Sequence, residues 1–205
     1  MGKTQFAALC LLIGSTLTAS ADEAKPAEKA KTDPPGVALE AVLTSKRATY
    51  QLDLGGLTAD EFRKGVEGGT YPPPPAVDLS LEIRNTGGKD LQIRMGGTTN
   101  TIDLDLQGPD ALTVELKGRI TNKLIVAPKT ITLEPGKSQT VPITSLSFGF
   151  KGSHNAYWLA PGKYVLTASY KTTVSPAPAA AKPADDGFGA VTIISAPLTI
   201  TVEGK

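Results

Sequence analysis

The chain of 205 residues is poor in the side chains from which most catalytic and metal centres are built. It has one cysteine and one histidine. A structural zinc site needs about four Cys or His ligands, and a Cys–His nucleophilic pair would use up both residues. There is no G-x-S-x-G turn, no G-x-x-x-x-G-K-[ST] phosphate cradle, no G-x-G-x-x-G and no D-x-[DN]-x-[DN]-G calcium loop. Charge of one sign is also missing. Lys and Arg total 21 against 20 Asp and Glu, so nothing supplies the basic face that a nucleic-acid partner requires. Aromatic residues make up 5%. The longest apolar run, Phe6 to Ile13, falls short of the roughly 20 residues of a spanning helix.

Turn formers are plentiful, with 21 Gly and 16 Pro, and 40% of the residues are hydrophobic. That is enough for a core, and it favours many turns and short strands over long helices. The length fits one domain with tails.

The N-terminus reads as a secretory signal peptide over residues 1–21. Lys3 is the positive region, Phe6 to Ile13 the apolar region, and Ala19-Ser20-Ala21 the small-residue cleavage site. Cys10 lies inside the apolar run and not at the cleavage point, which argues against a lipid anchor. Cleavage removes Lys3 and Cys10, so the mature chain has equal numbers of acidic and basic residues and no cysteine. It must be held together by packing, without disulfides. A secreted or periplasmic location follows, with no membrane-spanning segment after cleavage. Residues 22–36 are Ala, Lys, Glu and Pro with no large apolar side chain, and read as a disordered linker.

From residue 37 to 205 the period is two. Leu79, Leu81 and Ile83 alternate with Ser80, Glu82 and Arg84. Leu91/Ile93/Met95, Ile102/Leu104/Leu106, Leu112/Val114/Leu116, Tyr164/Leu166/Ala168/Tyr170 and Leu198/Ile200/Val202 repeat the pattern. Such alternation marks strands with one face on a core and one in water. Asn85-Thr86-Gly87-Gly88, Gly108-Pro109-Asp110, Pro135-Gly136 and Pro161-Gly162 separate them as turns. Roughly nine short strands at this spacing predict an antiparallel sandwich. One short helix is predicted after Thr58, where Thr58 and Glu61 match a capping box and Phe62 and Val66 share a face. Tyr71-Pro72-Pro73-Pro74-Pro75 must be extended. Ser175 to Pro183 reads as a mobile bridge between strands.

Functional candidates are sparse. Phe148, Phe150, Tyr157, Trp158, Tyr164 and Tyr170 cluster late in the chain. They read either as a core plug or as a binding surface. The intervening Lys151-Gly152-Ser153-His154-Asn155 is polar and is expected to be an exposed loop. Phe150, His154, Asn155, Tyr157 and Trp158, with Tyr71 as an outlier, are therefore the candidate surface-loop binding residues. Tyr164, after Pro161-Gly162-Lys163, is predicted to form a tyrosine corner, a device of stability. Ser153 next to His154 does not make a triad. Asp103 with Asp105, and Asp185-Asp186-Gly187, are read as solvated faces. No catalytic residue, metal site or cofactor is expected.

Asn85-Thr86-Gly87, Leu133-Glu134-Pro135-Gly136-Lys137-Ser138 and Leu159-Ala160-Pro161-Gly162-Lys163-Tyr164, in this order, resemble small secreted bacterial immunoglobulin-like β-sandwich proteins of unassigned function. A more distant similarity is to bacterial proteinase-inhibitor sandwich domains. The resemblance spans roughly Val37 to Val202 and implies an all-β, antiparallel immunoglobulin-like Greek-key β-sandwich. It carries over no catalytic residue. The expectation is an exported non-catalytic binding or structural module whose partner is a protein or glycan of the envelope or exterior. Two alternatives are an inhibitor of an extracellular protease, acting through Ser175 to Pro183, and a glycan-active hydrolase using paired carboxylates.

Overall fold

Period-two burial carries through into the fold. The computed structural model describes residues 38–98, 100–117 and 126–204; the expected signal peptide and linker lie outside them. In chain order the elements are β1 (Leu39–Ser45), β2 (Thr49–Gln51), α1 (Ala59–Glu67), β3 (Ala76–Asn85), β4 (Leu91–Met95), β5 (Thr101–Gln107) and β6 (Ala111–Glu115). They continue with β7 (Lys129–Leu133), β8 (Ser138–Ser145), β9 (Ser147–Phe148), β10 (His154–Trp158), β11 (Gly162–Ser175), β12 (Gly189–Ile194) and β13 (Leu198–Glu203). Pairing is antiparallel except for β2 on β13.

The largest sheet runs β2-β13-β11-β4-β7, with β5 and β12 also on β11. Two smaller sheets, β1-β3-β8 and β6-β10-β9, continue into one another. Only Leu146 separates β8 from β9; its N–H donates to Pro75 O (3.1 Å) and its carbonyl accepts from Ala156 N–H (2.8 Å). Leu79, Leu81 and Ile83 from β3 meet Leu104, Leu166, Ala168 and Ile200 from the large sheet in one core. The protein is an all-β sandwich with one short helix among the described residues. Each fully buried Leu or Ile contributes about 1.5–3 kcal/mol relative to exposure, so no disulfide is required.

Strand β11 is the spine. One edge pairs β13 and then β12; the other pairs β5 and then β4. Side chains hold both breaks. Ser195 Oγ accepts from Ala168 N–H (3.0 Å), while Ser195 N–H donates to Ala168 O (2.8 Å). Asn100 Nδ2 donates to Arg94 O (2.9 Å) and Gly96 O (2.7 Å).

The tyrosine corner forms. Tyr164 Oη shares its proton between the carbonyls of Pro109 and Ala160 (2.7 Å to the latter) and accepts from Ala160 N–H at 3.4 Å. Pro109 lies where the chain leaves the large sheet for β6, and Ala160 where it returns from β10 to β11. One phenol therefore pins two crossings. Burial holds its pKa above the ordinary phenol value, since a phenolate here would lose hydration.

Helix α1 starts as read. Thr58 Oγ1 accepts from Glu61 N–H (3.3 Å), and Glu61 Oε2 accepts from Thr58 N–H (2.9 Å). Phe62 and Val66 are buried against Tyr157 and Leu159 in a second, smaller core. Bonds from the Thr58 backbone and hydroxyl hold the Glu61 carboxyl below its ordinary pKa. A carboxyl whose folded pKa is depressed stabilises the fold above its unfolded value, and that contribution is lost as pH falls through the folded one. Thr58→Ala is expected to cost about 1 kcal/mol, the usual loss for an N-cap hydroxyl. In Glu61→Gln the acid-side decline in stability should flatten relative to wild type. Urea melts from pH 7 to pH 2 check both; parallel curves for wild type and Glu61→Gln would refute the cap's titration.

Candidate functional site

Six candidate residues were expected on exposed loops, and the structure divides them. The segment expected as a loop becomes strand β10 from His154 onward, and three of its residues are interior. Asn155 and Tyr157 are 2% exposed and Trp158 3%. The physical reason is burial from both sides. Ala156 and Trp158 face the sandwich core, and Tyr157 and Leu159 face helix α1. Phe62 meets the Tyr157 ring edge-on at 5.1 Å. Tyr157 Oη donates to Pro72 O (2.8 Å) and accepts from Asn155 Nδ2 (3.0 Å). Burial is the first cause of the raised Tyr157 pKa.

Phe150 alone of the six matches the expected exposure, at 48%. His154 is half-buried at the start of β10. Its ring stacks on Phe148 at 5.5 Å, and its Nδ1 is 2.9 Å from Ser153 Oγ. That hydroxyl belongs to the neighbouring residue in sequence. Tyr71 is half-buried against the small core beneath α1.

The carboxylate candidates are engaged structurally. Asp103 accepts from Lys171 Nζ (2.7 Å) and Asp105 from Gln107 Nε2 (2.7 Å). Asp186 pairs with Arg94 and accepts from Phe188 N–H (3.2 Å), and Arg94 lies 4.0 Å over the Phe188 ring. The Arg94 bond, then the Phe188 N–H, hold the Asp186 carboxyl below its ordinary pKa. This clamp ties down the segment before β12, and Pro178 in the same segment is buried against Gly189. Within the bridge Ser175 to Pro183, Pro178 is thus packed on the start of β12, and the Arg94–Asp186 pair lies just beyond it. Among the described residues no three His, Cys, Asp or Glu side chains converge on a metal position, and no helix is long and apolar enough to cross a membrane.

What the sandwich does bring together is a groove of about 810 Å³. Its floor is Tyr50, Phe62, Tyr157 and Trp158; the Tyr50 and Trp158 rings lie 5.5 Å apart. Pro72 and Pro73 form one wall, and Arg47, Thr49 and Gln51 the other. Leu57, on the rim, is 48% exposed although apolar. Tyr50 braces the groove: its hydroxyl accepts from Asp78 N–H (3.2 Å) and sits 2.8 Å from Ser45 Oγ. Tyr157 and Trp158, nominated as loop residues, thus reach this site as floor. Arg47, Leu57 and the β2 edge had no signal in the sequence.

No protein family's sequence profile matches the chain, and no characterised protein matches it by sequence. Among solved structures, a β-glucosidase from Erythrobacter marinus superposes with a TM-score of 0.26 and 11% identity, over 80% of this chain. The chain spans 15% of that enzyme's length, and a superposition at that score carries nothing about fold or chemistry.

Proposed function

We propose that the protein is an exported, non-catalytic binding module that takes its partner at the groove beside β2 and α1. The groove itself carries this reading: an aromatic floor, a half-exposed Leu57 at the rim, and proline on one wall. Stiff walls and few charges suit recognition through apolar contact. Export is supported by the order Lys3, Phe6 to Ile13, Ala19-Ser20-Ala21 in the sequence. Asp103 and Asp105, the carboxylates that share one strand face, are already bonded to Lys171 and Gln107, which favours binding over glycan cleavage.

Trp158 is the chain's one tryptophan and lies in the groove floor, so its fluorescence reports occupancy. The mature chain is titrated with a tryptophan-free hexapeptide library and, separately, with soluble cell-wall oligosaccharides. A saturable shift in Trp158 emission is expected from one set, weakened about tenfold or more by Leu57→Ser, in keeping with loss of a rim apolar contact. If neither set moves Trp158, or if Leu57→Ser changes nothing, the groove reading fails. Release of sugar products would overturn the non-catalytic reading.

A further inference from the structure

Among the described residues, the β2 side of the groove is the unpaired edge of a sheet. Strand β2 stands at the end of the strand order and pairs β13 in parallel. Thr201 N–H donates to Ala48 O (2.9 Å), and Leu52 N–H donates to Glu203 O (2.8 Å). In a parallel ladder alternate residues face the partner strand. Ala48, Tyr50 and Leu52 are turned to β13, so Thr49 and Gln51 direct their N–H and C=O groups the other way, and both residues line the groove. Among the described residues those backbone groups have no hydrogen-bond partner.

Among the described residues no strand pairs with this edge. Pro72, Pro73 and Pro75 stand across the groove, and proline has no N–H to give. Strand β3, which follows them, is occupied on both edges by β1 and β8. Exposed edges invite an added strand. Thr49 and Gln51 present their groups about 6.8 Å apart, the repeat of one side of a strand.

Resting on the proposed binding function, we infer that the groove takes an extended peptide as an added antiparallel strand on β2, with its C-terminal carboxylate at Arg47. Arg47 gives the direction. It is exposed, it precedes β2 and lines the groove, and its guanidinium makes no ion pair among the described residues, whereas neighbouring Lys46 is paired with Asp78. An antiparallel strand brings its C-terminal end to the start of β2, where an anion meets that cation. The register then fixes the rest. Peptide residues opposite Thr49 and Gln51 exchange backbone bonds with them. The residue between, opposite Tyr50, turns its own N–H away and its side chain toward Tyr50, Trp158 and Phe62, so it is apolar. This is recognition by strand addition, with affinity from the main chain and selectivity from alternate side chains.

The test uses the mature chain and a tryptophan-free hexapeptide library with free C-termini, read by Trp158 emission. The tightest members are resynthesised with single N-methyl groups along the backbone, and again as C-terminal amides. N-methylation opposite Thr49 or Gln51 should weaken binding about tenfold or more, the equivalent of one lost hydrogen bond, while N-methylation opposite Tyr50 is tolerated. Amidation should weaken binding to wild type and leave binding to Arg47→Gln unchanged. Arg47 is a surface side chain, so Arg47→Gln should melt as wild type does. Peptides that move Trp158 yet show no alternation under N-methylation would overturn strand addition and leave the groove as the binding site. Oligosaccharides moving Trp158 where no peptide does would overturn the ligand class. Silence from both sets would bring down the groove reading as well. A dimer in sedimentation that Gln51→Pro abolishes would give the edge to a second copy of the chain and overturn the peptide.

Discussion

Replacing Asn85 by alanine is expected to destabilise the fold by about 3–5 kcal/mol, the largest loss from a single polar side chain in this protein. Asn85 is fully buried at the end of β3, and all of its hydrogen-bonding groups are used. Its Nδ2 donates to Lys89 O and Leu133 O, both at 2.8 Å, and its Oδ1 accepts from Gly87 N–H at 2.9 Å. Its backbone N–H donates to Lys137 O (3.0 Å), and its carbonyl accepts from Gly136 N–H (2.9 Å). One amide therefore ties the turn after β3 to the turn between β7 and β8. Alanine would leave two carbonyls and one N–H without this partner, the Leu133 carbonyl in a buried position and the Lys89 carbonyl and Gly87 N–H in part-buried ones, and each group so left costs about 1–3 kcal/mol. Aspartate separates shape from chemistry. It keeps the acceptor for Gly87 but sets an acidic oxygen against two carbonyls, so Asn85→Asp should be no more stable than Asn85→Ala at pH 7. Urea denaturation of the three proteins decides. A loss under about 1 kcal/mol for alanine would mean that water reaches these groups and that the amide is not the tie between the turns.

The two turns that meet at Asn85 are visible in the sequence as Asn85-Thr86-Gly87 and Pro135-Gly136-Lys137, but their meeting is not. Local rules reach what neighbours decide. Alternation finds β3 because Leu79, Leu81 and Ile83 see only the core while Ser80, Glu82 and Arg84 do not. The capping box finds α1 because its bonds are three residues apart. Strand β10 escapes the rule because helix α1 covers its second face, which removes the alternation and buries Asn155 among apolar side chains. The same covering turns Tyr157 and Trp158 from expected loop residues into a groove floor. The groove is less legible still. It joins Arg47, Leu57, Pro72 and Trp158, which are brought together only by the crossing from β1 to β2 and by the proline connector. A free strand edge leaves no mark in side chains, since it is made of backbone.

The tyrosine corner gives the second large effect, and it is testable as a coupling. Gly108 packs directly on the Tyr164 ring: a Cβ there would lie 2.4 Å from Cδ1 and 2.8 Å from Cγ. Those ring atoms sit in the core and cannot swing away like the end of a flexible side chain. Gly108→Ala must therefore displace the ring or the crossing at Pro109, at an expected cost of about 3 kcal/mol or more, in the range of overpacked cores. Tyr164→Phe keeps the ring and removes the hydroxyl, leaving the carbonyls of Pro109 and Ala160 and the N–H of Ala160 short of a partner. About 1–3 kcal/mol should go with it. The two losses should not add. Once Gly108→Ala has moved the ring, the hydroxyl no longer reaches its carbonyls, so removing it costs little more. A double-mutant cycle should show the pair less destabilised than the sum of the singles by about 1 kcal/mol or more. Strict additivity would mean that ring position and hydroxyl bonds are independent, and that Tyr164 does not act as a single pin through both crossings.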